Sequence, residues 1–111
     1  MIGYLSGPIT GHTGYRQEFE AAAEELLALG YNVINPAELD RVIPLTGLGY
    51  EEIMKIDLVF LEKADYLVQL PGWEESRGAN RELGFALGAG KIVVAYEDML
   101  GGRCNDIDRD V

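Results

Sequence analysis

At 111 residues the chain is the size of one domain, with no room for a second. Its formal charge of −10 argues against a binder of duplex nucleic acid, which shows a basic patch. Any anionic ligand has to be held locally, by backbone N–H groups and a few arginines, against the overall field. One cysteine, Cys104, rules out an internal disulfide, and with one histidine it argues against a zinc centre.

No apolar run approaches the roughly 20 residues that span a bilayer, so no membrane segment is expected. The opening "MIGYLSGP" has neither the basic leader nor the apolar stretch of a secretion signal. A reducing, cytoplasmic setting follows, and no metal or other cofactor is called for.

Residues 2–6 (IGYLS) form a short apolar run that ends in "GPITG", a strand followed by a glycine-rich turn. Over 15–29, Phe19, Ala22, Ala23, Leu26 and Leu27 recur at helical spacing, and Gly30 is a natural stop. "YNVIN" (31–35) reads as a second strand closed by Pro36. Residues 36–49 read as a long loop with room for a short helical turn. Residues 50–63 are helical, "DYLVQL" (65–70) is a third strand, and "PGWEES" is a loop. Residues 76–90 form a last helix and "KIVVAY" (91–96) a fourth strand. The domain is placed at 1–98, and 99–111 is a polar, acidic tail, disordered or packed on a neighbour.

Alternating strands and helices predict a single-domain, three-layer α/β/α sandwich. The sheet should be parallel, with four to five strands, in a flavodoxin- or Rossmann-like arrangement. Ligands of such sheets bind outside the carboxyl ends of the strands. There "SGPITGHT", 36–49 and "PGWEESRG" converge.

Two carboxylates stand out. On a wheel of the last helix, Gly78, Ala79, Phe85, Ala86 and Ala89 fall within about 60° of Glu82. On the preceding helix Ile53, Ile56, Phe60 and Leu61 surround Asp57. An ionised carboxylate on a buried stripe is costly unless it is paired, hydrogen-bonded or functional. One on each of two helices points to a shared wet cavity at the sheet's edge. Pairing with Arg16, Arg77 or Arg81 is the structural alternative.

Other candidates carry less specific signals. Tyr4, on the first strand, can orient a carboxylate or simply fill core. Gly7, Pro8 and Ile9 form a turn able to present N–H groups, without the G-K-[ST] of a P-loop. Ser76 suits the N-cap of the last helix, a place that also receives phosphate. Trp73 can stack on a planar base or cover the core. His12 reads as an exposed loop residue, and Cys104 lacks the surroundings of a nucleophile.

The segments "YLSGPITG" and "IDLVFLEKADYLVQLPGWEESRGANRELGFALGAGK" resemble the nucleoside 2-deoxyribosyltransferase superfamily. They resemble more closely its small phage and bacterial members carrying an "LPGWE-S-GA" signature, and the resemblance covers about residues 2–96. The resemblance implies cleavage of an N-glycosidic bond through a glycosyl-enzyme. Glu82 would be the nucleophile, Tyr4 the residue that orients it, and Asp57 a contact to base or sugar. It implies a small-molecule nucleoside or nucleotide as substrate, bound around Gly7, Pro8, Ile9, Trp73, Ser76 and Gly78. It also implies a homodimer or higher oligomer, in which a neighbour's tail completes the site.

Two positions depart from the transferases. Ser76 stands where they carry an acidic residue, which is similar to the nucleoside 5′-monophosphate N-glycosidases. Those glycosidases in turn use Ser and Arg in the first loop, where this chain has Pro8 and Thr10. A non-catalytic protein that binds a nucleotide or a nucleotide-derived signal is the alternative expectation.

Overall fold

The computed structural model describes residues 1–9, 11–39 and 47–101. Its strands are β1 (Ile2–Ser6), β2 (Asn32–Ile34), β3 (Tyr66–Gln69) and β4 (Ile92–Ala95). Its helices are α1 (Tyr15–Ala28), α2 (Tyr50–Glu62), α3 (Arg77–Gly88) and the short α4 (Tyr96–Leu100). Single 3-10 turns occur at Pro36–Glu38 and Trp73–Glu75.

The sheet is parallel throughout, in the order β2-β1-β3-β4. The chain leaves β1 towards β2 on one side and returns to lay β3 on the other. The topological switch point therefore lies between β1 and β3, whose final residues Ser6 and Gln69 pair. The expected Rossmann-like α/β sandwich is what the chain forms.

Side chains alternate across the sheet with period two. Leu5, Val68 and Val94 face α1 and α4, together with Phe19, Ala22, Leu26 and Met99. Tyr4, Leu67 and Val93 face α2 and α3, together with Leu61, Ala86 and Leu83. Two apolar layers thus sandwich the sheet. The second also receives Ser6, two residues after Tyr4 on the same strand face.

Three expectations need correction. Leu27 is 54% exposed, because Phe19, Ala22, Ala23 and Leu26 complete the buried stripe and leave it at the edge. Ala89 is exposed as well, since α3 ends at Gly88 and the chain turns away through Gly90 at φ 75°. Tyr96 does not extend β4; it starts α4, which carries Met99, placed in the tail on sequence, into the core at 2% exposure. Thr10, residues 40–46 of the long loop, and the tail from 102 with Cys104 lie outside the described residues. Among the described residues no helix is long and apolar enough to cross a membrane.

Candidate active site

The site is built where β1, α2 and α3 meet. On α3 the buried positions are Ala79, Glu82 and Ala86, one face at i, i+3 and i+7. On α2 they are Met54, Asp57 and Leu61, with the same spacing. Each carboxylate therefore sits inside an apolar stripe, with Glu82 6% and Asp57 9% exposed.

The helix starts fix these faces. The Ser76 hydroxyl accepts the Ala79 N–H at 3.1 Å and caps α3. Glu52 accepts the Gly49 N–H at 3.0 Å at the start of α2, and Glu51 and Glu52 place negative charge where the helix dipole favours it. Gly72, at φ 87°, adopts a left-handed turn that only glycine makes freely, bringing the "PGW" loop against Pro8.

Two hydroxyls from β1 hold Glu82. Tyr4 Oη donates to its Oε2 at 2.5 Å, and Ser6 Oγ donates to its Oε1 at 2.7 Å. Among the described residues no cation pairs with Glu82 or Asp57; the arginines on this side, Arg77 and Arg81, both face Glu51. The salt-bridge alternative is therefore not realised among those residues.

The electrostatics follow from this enclosure. Burial raises the Glu82 carboxyl to about 7, outweighing the lowering pull of the Ser6 and Tyr4 hydrogen bonds; repulsion from Asp57 adds the smallest part. Burial alone raises Asp57 to about 6. The Tyr4 hydroxyl is pushed well above its usual range, by burial first and by the two carboxylates next.

A cavity of about 130 Å³ opens onto both carboxylates, lined also by Gly7, Ile9, Met54 and Ser76. It shares Tyr50, Ser76 and Gly78 with a wider cleft of about 650 Å³ bordered by Pro8, His12, Glu18, Glu75 and Arg77. Space at the junction depends on Gly78, where a Cβ would lie 3.3 Å from Met54 Cε and 3.6 Å from Tyr50 Oη. Gly7 lets the chain pass Leu70, whose Cβ would stand 2.9 Å from an added methyl. An apolar cleft of about 230 Å³ on the α1 face, by Phe19, Ala22 and Tyr96, holds no buried carboxylate.

The structure thus brings together Tyr4, Gly7, Ile9, Asp57, Ser76, Gly78 and Glu82, with Pro8 on the wider cleft. Trp73 lines neither; it is half-buried in its 3-10 turn, where its carbonyl accepts the Ser76 N–H at 3.0 Å. Sequence reasoning missed Ser6 and Tyr50. The signals were present: Ser6 is two residues from Tyr4 on one strand face, and Tyr50 is seven residues, two helical turns, before Asp57. Among the described residues no cluster of three His, Cys, Asp or Glu side chains could hold a metal ion.

Fold and site together define a Rossmann-like α/β protein with a hydroxyl-held carboxylate beside its switch point. The chain belongs to the family described as Domain of unknown function (DUF4406), which matches residues 1–95. No curated protein matches it.

Proposed function

We propose that the protein cleaves the N-glycosidic bond of a nucleoside or nucleoside 5′-monophosphate, by hydrolysis or base exchange, with Glu82 as nucleophile. The observation that carries this reading is a buried carboxylate, unpaired with any cation among the described residues, whose two oxygens are each held by a hydroxyl at the floor of a cavity. The resemblance of "YLSGPITG" and "SRGANRELG" to the nucleoside 2-deoxyribosyltransferase superfamily supports it.

In this mechanism a Glu82 oxygen attacks the anomeric carbon. The carbon–nitrogen bond breaks, its electron pair leaves with the base nitrogen, and a glycosyl ester forms on Glu82. Water or a second base then attacks the same carbon and returns the carboxylate. Tyr4 and Ser6 hold the carboxylate in line and stabilise its ionised form. Asp57 contacts the base or a sugar hydroxyl, and its pKa near 6 lets it exchange a proton there around neutrality. The resemblance further supports a cytoplasmic homodimer or higher oligomer.

The test is a panel of nucleosides and their 5′-monophosphates, with free base followed by chromatography. Wild type should release base and Glu82→Ala should not; equal trace release from both would defeat the enzyme reading. Pro8, in place of the glycosidases' first-loop serine, favours a second reading, a non-catalytic nucleotide-binding protein. Thermal stabilisation by a nucleotide with no base released would support that instead.

A further inference from the structure

Tyr50 begins α2 and lines both the inner cavity and the wider cleft. Its hydroxyl oxygen is buried and has no partner in full hydrogen-bond geometry among the described residues. Buried hydroxyls are almost always paired, so an orphan calls for an explanation. The ring itself is firmly held. Arg77 Cζ lies 4.8 Å and Arg81 Cζ 5.5 Å from its centroid, within cation–π range. Glu51 anchors those arginines, at 2.8 Å from Arg81 Nη1 and 3.8 Å from Arg77 Nη2. Arg81 is kept protonated by its hydrogen bond to Glu51 first and by the Tyr50 hydroxyl at hydrogen-bonding range next, a contact that falls short of full hydrogen-bond geometry.

The position along the cleft is defined. Tyr50 stands seven residues before Asp57, about 10 Å nearer the mouth along α2. Across from it is Gly78, one turn of α3 before Glu82. A substrate whose reacting carbon meets Glu82 therefore extends its far end past Tyr50. The surroundings favour an uncharged group there. The two spaces are lined by the carboxylates of Glu18, Asp57, Glu75 and Glu82. The basic side chains lining these spaces among the described residues, Arg77 and His12, already face Glu51 and Glu18.

We propose that the Tyr50 hydroxyl is a substrate-binding group that hydrogen-bonds an uncharged hydroxyl or carbonyl at the end of the substrate facing the cleft mouth. This rests on the glycosidic-bond reading above and assigns a residue to it. The substrate supplies the hydrogen-bond partner that the described residues do not give this hydroxyl. Arg77, Arg81 and Glu51 act behind the ring, holding it ready so that little freedom is lost on binding.

Tyr50→Phe tests this with two readouts, thermal unfolding of the free protein and steady-state kinetics on nucleosides and matching 5′-monophosphates. Removing an orphan costs the free protein nothing, so its Tm should match or exceed that of wild type. KM for the preferred nucleoside should rise about 3- to 10-fold, by more than kcat falls, as for one lost hydrogen bond. A Tm several degrees lower with KM unchanged overturns the proposal and makes the hydroxyl structural. A wild-type preference for the 5′-monophosphates overturns the uncharged partner while leaving Glu82 chemistry intact. A wild type that neither cleaves nor is stabilised by any member of the panel overturns the glycosidic-bond reading and this assignment with it.

Discussion

Replacing Glu82 by glutamine asks whether its carboxylate is buried at a cost to the fold. Folding raises this carboxyl from the usual 4.5 to about 7. A group with a raised folded pKa prefers to be protonated in the native state. Its contribution to stability is complete below pH 4.5 and is lost as the pH climbs through 7. Integrated over that window, ionisation costs wild type about 1 kcal/mol at pH 5 and about 3 kcal/mol at pH 8. Glutamine keeps the side-chain volume, retains an acceptor for Tyr4 or Ser6, and does not titrate. Glu82→Gln should therefore be more stable than wild type by those amounts. In a domain of this size 1 kcal/mol moves Tm by about 4–8 °C, so the advantage at pH 8 is roughly 12–24 °C and shrinks to about 4–8 °C at pH 5. Thermal or urea unfolding of both proteins at pH 5, 6, 7 and 8 reads it directly. A glutamine variant less stable than wild type at pH 8 would refute the reasoning, because the ionised carboxylate would then be a net stabilising partner of some cation. The same variant should be inactive, separating what the site costs from what it does.

Wild-type kcat/KM should rise with pH along a limb centred near 7, where the nucleophile ionises; a profile flat from pH 5 to 9 would exclude Glu82 from that role. Tyr4→Phe removes a hydrogen bond that lowers the Glu82 pKa, so the limb should move above 7 and activity at pH 7 should fall about 10- to 100-fold. Asp57→Asn removes the repulsion that Glu82 feels, so the limb should move below 7; an unchanged midpoint would uncouple the two carboxylates. Gly78→Leu should abolish ligand-induced thermal stabilisation while the free protein still unfolds cooperatively, since its side chain enters the space by Met54 and Tyr50.

How much of this was legible in the sequence depends on which interactions set each feature. Helical period alone placed Glu82 and Asp57 on buried stripes, because stripes such as Ala79, Glu82, Ala86 repeat within one element. The order of strands and helices was enough for a parallel sheet, since parallel neighbours need crossovers. What escaped was set between elements. Ser6 reads as the first polar residue of a turn until the pairing of β1 with β3 and the approach of α3 put its hydroxyl on Glu82. Tyr50 reads as a helix start, and its buried hydroxyl shows only once Gly78 faces it. Trp73, which on sequence suits stacking on a base or covering the core, lines neither space, and its carbonyl accepts the Ser76 N–H. The end of β4 was misjudged because Tyr96 suits a strand, while Met99, three residues on, gains burial only if the chain turns into α4.

The central claim is that Glu82 forms the bond to the sugar. Incubating the protein with a nucleoside whose 2′-fluorine slows loss of the sugar, then quenching and mapping peptides by mass spectrometry, tests it most directly. The account predicts one added glycosyl group on the peptide that carries Glu82, absent in Glu82→Gln. Base release with the adduct on Asp57 or another side chain, or with no adduct at all under conditions that trap a glycosyl ester, would contradict it.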